Sequence, residues 1–465
     1  FVGSSVSISN NSFHCDSTQG SCVVASWDAR LLQTPLTIQN MDAKIQGGDS
    51  GSSIGFLHDT ATTGDGGGAS FFDSAINLFN WNIESLSGRE FIFAKLAPNS
   101  FMYNDMAWNV HNIVASATAT SGSSIYFIAG FVSSSLTLRN VFFDVNTVRC
   151  HFSGGGGASD NGFFELNAVS PTAHSITDTT VLLKNVDYHF ATGGSHKIFG
   201  SVKPSTIFSN FALTLQNVTA QVLDIDSGTN SAISFKDASV SDSPAGLSIS
   251  ISGCDFNLES SNTNAVSPKL VNLASTSGDN FRVTISDTQA TVVGENTVNQ
   301  YRPSVFTFET VGGPTWTSSH HHLVMRRSRF HVKGFDANLL IFQNVIVHSA
   351  QVELNGVSSI VESQAGGTEG AHLIYVTLAE IHDSDVLVIN SRSQVTSASK
   401  AAGALYVYTG QFEGSSVRIS NSTVTATSSG DDATIVGADL FVNSQSTMVV
   451  TSSSVVATST ATGTA

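Results

Sequence analysis

Short runs of alternating apolar and polar residues recur along the whole chain, each interrupted by Asn or another small residue and then resumed. Clear copies are SVSISNNSF from Ser5, PLTIQNMDAKI from Pro35, SLTLRNVFFDV from Ser135, TVLLKNVDYHF from Thr180 and ALTLQNVTAQV from Ala212. Later copies include FRVTISDTQATV from Phe281, HLVMRRSRFHV from His322, DVLVINSRSQV from Asp385 and SVRISNSTVTA from Ser416. Alternation at period two, enriched in Val, Ile, Thr and Phe, predicts short strands with one face buried. The interruption falls at Asn10, Asn40, Asn80, Asn112, Asn140, Asn185 and Asn217, then Gly253, Asp287, Ser328, Gly356, Asn390, Asn421 and Ser453. Asn tolerates positive φ better than β-branched residues do, so each is read as a sharp corner between two strands.

A further apolar stretch lies between successive corners, usually behind a Gly/Ser-rich loop. REFIFAKL from Arg89, VFTFETVG from Val305, HLIYVTLAEI from His372 and GALYVYTG from Gly403 are examples. About three strands and one variable loop thus repeat at a spacing of about 34 residues, a period that signals a solenoid or propeller. Fourteen copies are too many for one propeller ring, and a pair of propellers is the weaker alternative. The expected fold is all-β: one continuous parallel β-helix of about 14 coils over residues 1–465, with corner Asn side chains stacked as a ladder. Phe outnumbers Tyr and Trp, at 30 against 7 and 4, and needs no polar partner, so it is expected in columns inside the solenoid.

The motif LTLxNVxxxV with inserted Gly/Ser loops resembles the pectin-lyase-like right-handed β-helices, especially the repetitive surface proteins and adhesins among them. More loosely, it is similar to large Ser/Thr-rich membrane-associated proteins of free-living kinetoplastid flagellates. The resemblance implies a right-handed coil and, on the enzymatic side of that fold, polysaccharide lyases and hydrolases.

Composition narrows the function. Only 12% of residues are charged and the net charge is −16, which runs against nucleic-acid binding and a basic footprint. No apolar run reaches the ~18 residues of a membrane span, so a membrane tie is expected only through segments outside this chain. Cys15 and Cys22 are close enough to close a small disulfide loop, which fits an oxidising, extracellular or cell-surface setting. Cys150 and Cys254 are expected as separate buried thiols.

Candidate chemistry is sparse. The acidic doublet Asp431–Asp432 sits in a Gly/Ser loop, and Asp42, Asp144 and Asp187 follow their corners on non-adjacent copies; all are read as solvated carboxylates, and calcium is not supported. No catalytic residue, metal ligand or cofactor is nominated. His320, His321 and His322 are consecutive and do not converge on one metal. Arg326, Arg327, Arg329 and Lys333 form the densest basic stretch. Alternation sets Arg327 and Arg329 on one face and Arg326 on the other; an acidic partner, such as another copy of this chain, would dock there. Three N-glycosylation sequons begin at Asn10, Asn217 and Asn421, all on the corner column. Neither end carries a recognisable polar cap, which leads to the expectation of a longer chain or of copies stacked end to end or laterally. The function expected is a non-enzymatic, extracellular structural or adhesive surface protein, a glycosylated filament or coat subunit with N-linked glycans. The alternatives are a carbohydrate-active enzyme and a glycan-binding rod.

Overall fold

A computed structural model describes residues 2–17, 31–47, 70–87, 91–96, 101–119, 125–132, 136–154, 160–168, 174–191, 195–224, 230–240, 246–260, 268–294, 302–310, 316–398, 400–439 and 442–460. The described secondary structure is strand, paired in parallel from one copy to the next. The fold is a parallel β-solenoid with a spacing of about 34 residues. About ten turns are described, slightly fewer than the fourteen copies read from the sequence. The chain divides into two compact units: Phe1–Gly228 with Asp237–Ser239 (unit 1), and Thr229–Lys236 with Val240–Ala465 (unit 2).

Parallel stacking in register follows from the alternation, since each inward residue falls on its counterpart one turn away. In unit 1 the inward column is Ile38, Leu78, Val110, Val145, Leu183 and Leu215, all fully buried. In unit 2 it is Ile251, Ile285, Met325, Leu354, Val388 and Ile419. Phe columns appear as expected: Phe93, Phe127 and Phe163 stack at 4.7 and 4.8 Å between ring centroids.

One turn of unit 2 shows the plan. A first face, Asp385–Ile389, turns at Asn390 into a second, Arg392–Ser397. A loop then leads to a third face, Ala402–Tyr408, and Thr409 turns it into a short fourth, Gln411–Glu413. Gly414 returns the chain to the next first face, Ser416–Ser420.

The Asn corners adopt positive φ, between 46° and 59°, as their residue type allows. They point outward and still form a ladder. Asn40 Nδ2 donates to Asn10 Oδ1 (2.8 Å), Asn80 to Asn40 (2.9 Å) and Asn112 to Asn80 (3.1 Å). In unit 2 Asn421 donates to Asn390 at 2.7 Å.

Three corner assignments need correction. Asn112 stacks on Thr147, whereas Asn140 stacks on Asp105 and Asp178, on a different corner of the turn. Two strand–Asn–strand motifs run consecutively through residues 136–154, and alternation alone marks a corner without saying which one. The turns at Ser328 and Ser453 fall one residue earlier, at Arg327 (φ 46°) and Ser452 (φ 49°). Ser328 and Ser453 instead carry an interior role. Ser328 Oγ accepts from Thr288 N (3.2 Å) and donates to Arg326 O (2.8 Å). Ser391, Ser422 and Ser453 repeat this, each accepting the N–H of the residue one turn back at 3.1 Å. These hydroxyls occupy backbone donors that the corner turns inward, away from the ladder.

Candidate functional site

The third face of unit 2 carries a cleft with a cavity volume of about 330 Å³, bordered by Glu369, Tyr375, Lys400, Tyr406, Tyr408 and Asp431. Its residues come from three successive turns. Tyr375, Tyr406 and Gly437 are register partners on the strands Ala371–Thr377, Ala402–Tyr408 and Ala433–Asp439. Loops joining the second face to the third bring in Glu369, Lys400 and Asp431.

The floor is aromatic. The rings of Tyr375 and Tyr406 lie 6.1 Å apart and 6° from parallel, and His372 stacks against both at 5.2 and 4.6 Å. Gly437 makes room for this: a Cβ there would lie 2.5 Å from Tyr406 Cδ2, so any larger residue would tilt the ring. His372 is fully buried and neither ring nitrogen has a hydrogen-bond partner. Burial, with the nearby Arg302 charge, holds its imidazole down to about 3. It therefore serves the floor as a neutral ring.

The wall is clamped. Asp336 Oδ1 accepts from the N–H groups of Glu369 and Gly370 (2.9 Å each), and its Oδ2 accepts from Thr368 Oγ1 (3.0 Å). Gly370 has φ +104°, and a Cβ there would collide with Ala401 O. The loop so fixed presents Glu369 to Arg302, which ion-pairs with it and lies 4.6 Å over the Tyr375 ring. Burial raises the Glu369 carboxyl above its ordinary value and Arg302 opposes that shift. Arg302 and Glu369 thus neutralise each other, leaving Lys400 and Asp431 as exposed charges of opposite sign at the rim.

The sequence-selected residues lie elsewhere, apart from Asp431. Arg326, Arg327 and Arg329 are all exposed, because the positive-φ corner at Arg327 resets the alternation that assigned Arg326 a separate face. Two of them are engaged within the chain: Arg327 makes a bidentate pair with Asp287 (2.7 Å twice) and Arg326 pairs with Glu353 (3.3 Å). The Arg327 hydrogen bond lowers the Asp287 carboxyl below its ordinary value. Arg329 and Lys333 share the outward side of Arg329–Gly334. Asp144 lies before its corner, three residues ahead of Thr147, and meets His111 at 3.0 Å; Asp187 lies after its corner and meets Arg149 and His189. Among the described residues no three His, Cys, Asp or Glu side chains are grouped to hold a metal. Cys15 is disulfide-bonded, Cys22 lies outside the described residues, and Cys150 and Cys254 are buried thiols.

Sequence reasoning passed over the tyrosines. The signal was a shared offset: His372 and Tyr375, Gly403 and Tyr406, Thr434 and Gly437 are each three residues apart on stacked strands.

No protein-family model and no curated protein matches the chain. Among solved structures it is similar to the A-module of Azotobacter vinelandii mannuronan C-5 epimerase AlgE6, at 9% identity over 90% of each chain and a TM-score of 0.19. At that level of overlap no shared activity follows.

Proposed function

We propose that this chain is a non-enzymatic, extracellular structural and adhesive protein that holds carbohydrate in the tyrosine-lined cleft of unit 2. The observation that carries the reading is the Tyr406 ring laid over Gly437 beside Tyr375, inside a cavity of about 330 Å³. A flat phenol ring offers a platform for the C–H face of a sugar, while the rim charges and hydroxyls accept and donate to its hydroxyl groups. An enzymatic reading is weaker on the same residues. Glycoside hydrolysis uses two carboxyl groups ~5–9.5 Å apart, and Arg302 already occupies Glu369, leaving Asp431. The stacked solenoid supplies the rigid support, and the Cys15 disulfide accords with an oxidising compartment.

Screening the immobilised protein against neutral and acidic oligosaccharides tests the reading. Binding is expected, with at least a roughly tenfold loss, ~1.4 kcal/mol, in Tyr408→Ala, whose side chain is the most exposed of the three tyrosines. Absence of binding to any oligosaccharide would remove it.

A further inference from the structure

We infer that the corner columns carry N-linked glycans at Asn10, Asn217 and Asn421, the last on an edge of unit 2 that leaves the cleft open. These are the three Asn-X-Ser/Thr sequons of the chain. Each Asn is exposed at a positive-φ corner (55°, 52° and 46°), and its sequon hydroxyl residue, Ser12, Thr219 or Thr423, is exposed as well.

The ladder does not block attachment. Asn217 Nδ2 donates to Asn185 Oδ1 at 3.2 Å and Asn421 Nδ2 to Asn390 Oδ1 at 2.7 Å. Asn10 enters the ladder as an acceptor, through Oδ1. A carboxamide nitrogen has two hydrogens, so one can hold the ladder while the other is replaced. In the transfer, Nδ2 forms a bond to the anomeric carbon of an activated glycosyl diphosphate. The bond from that carbon to the diphosphate oxygen breaks, and the displaced Nδ2 proton leaves to a base.

Spacing supports the assignment. Asn10 and Asn217 stand six turns apart in unit 1, ~29 Å at ~4.8 Å per turn. The Asn corners between them, Asn40, Asn80, Asn112 and Asn185, have Asp42, Asn82, Val114 and Asp187 in place of the sequon hydroxyl. Glycans on successive turns would collide at that pitch, and the sequence sets none there. In unit 2 the whole second-face strand Thr423–Ser428 lies between Asn421 and the cleft residue Asp431. Six extended residues span ~20 Å, so a glycan at Asn421 projects from an edge one face away from the cleft.

The inference is independent of what the cleft binds. Protein purified from its own source, treated with peptide N-glycosidase in ¹⁸O-water and digested, is expected to show Asn-to-Asp conversion with ¹⁸O uptake at all three sites. Unmodified Asn at all three would overturn it. In a secreting eukaryotic host, Asn217→Gln is expected to lose one glycan's mass. Thr219→Ala, which keeps the ladder amide, is expected to lose the same mass; retention of the full mass in Thr219→Ala would also count against the inference.

Discussion

The residue that follows the corner is apolar in most turns of unit 1 and hydroxylated in most turns of unit 2. Unit 1 places Met41, Trp81, Ile113, Val148, Val186 and Val218 there, all buried. Unit 2 places Thr288, Ser328, Ser391, Ser422 and Ser453 there, with hydroxyls that accept inward-turned N–H groups in the last four. The corner residue itself changes in step. Unit 1 is dominated by Asn in an outward amide ladder, whereas unit 2 also uses Gly253, Asp287, Arg327, Gly356 and Ser452. One backbone turn is thus held in two ways, by amides outside and by hydroxyls inside, with both at Asn390 and Asn421. Where hydroxyls hold it, the corner tolerates residues that are poor ladder formers.

Substitutions can break this contrast. Trp81→Ala should cost ~3–5 kcal/mol, because the indole is almost fully buried and its Nε1–H donates to Ile38 O at 3.1 Å. Hydrogen exchange read by mass spectrometry should show the loss in unit 1.

Acid should weaken unit 2 next. Burial holds His321, stacked on Phe281, down to about 4 and His372 to about 3, against ~6.5 in an unfolded chain. The unfolded chain therefore binds more protons between those values. Stability is complete above about pH 6.5 and falls as the pH drops towards 4, by roughly 3 kcal/mol from each ring. Urea unfolding across pH 4–7 should show this fall, and His372→Phe should roughly halve it; a flat profile in the unaltered protein would contradict the buried neutral rings.

Ser422→Ala removes a hydroxyl that accepts from Ser391 N and donates to Ser420 O, stranding a buried N–H at a cost of ~1–3 kcal/mol. At the small end, Asn80→Ala should cost ~1–2 kcal/mol through its positive φ, and Asn80→Gly less. If the Ser and Asn variants were equally mild, the inside–outside distinction would lose its energetic meaning.

Much of this fold was legible because period-two alternation and Asn are local signals. Ile38, Leu78 and Val110 declare their burial within five-residue windows. The identity of a corner was not legible where two motifs overlap, as at Asn140 and Thr147, since only the register between turns separates them. Arg327 was passed over as a corner because its residue type does not favour positive φ; the bidentate pair with Asp287, 40 residues away in sequence, accompanies that turn. The cleft was the least legible feature. Tyr375 and Tyr406 become neighbours only through stacking, and Glu369 and Lys400 arrive on loops whose paths alternation does not encode.

Carbohydrate binding on the Tyr406 ring is tested by calorimetric titration of an oligosaccharide that binds the unaltered protein into Gly437→Ala. That substitution adds a methyl group beneath Tyr406 and removes no group from the cleft. Binding is expected to weaken about tenfold or more with overall folding retained, because the tilted ring no longer offers a flat face. Unchanged affinity in folded Gly437→Ala would contradict it.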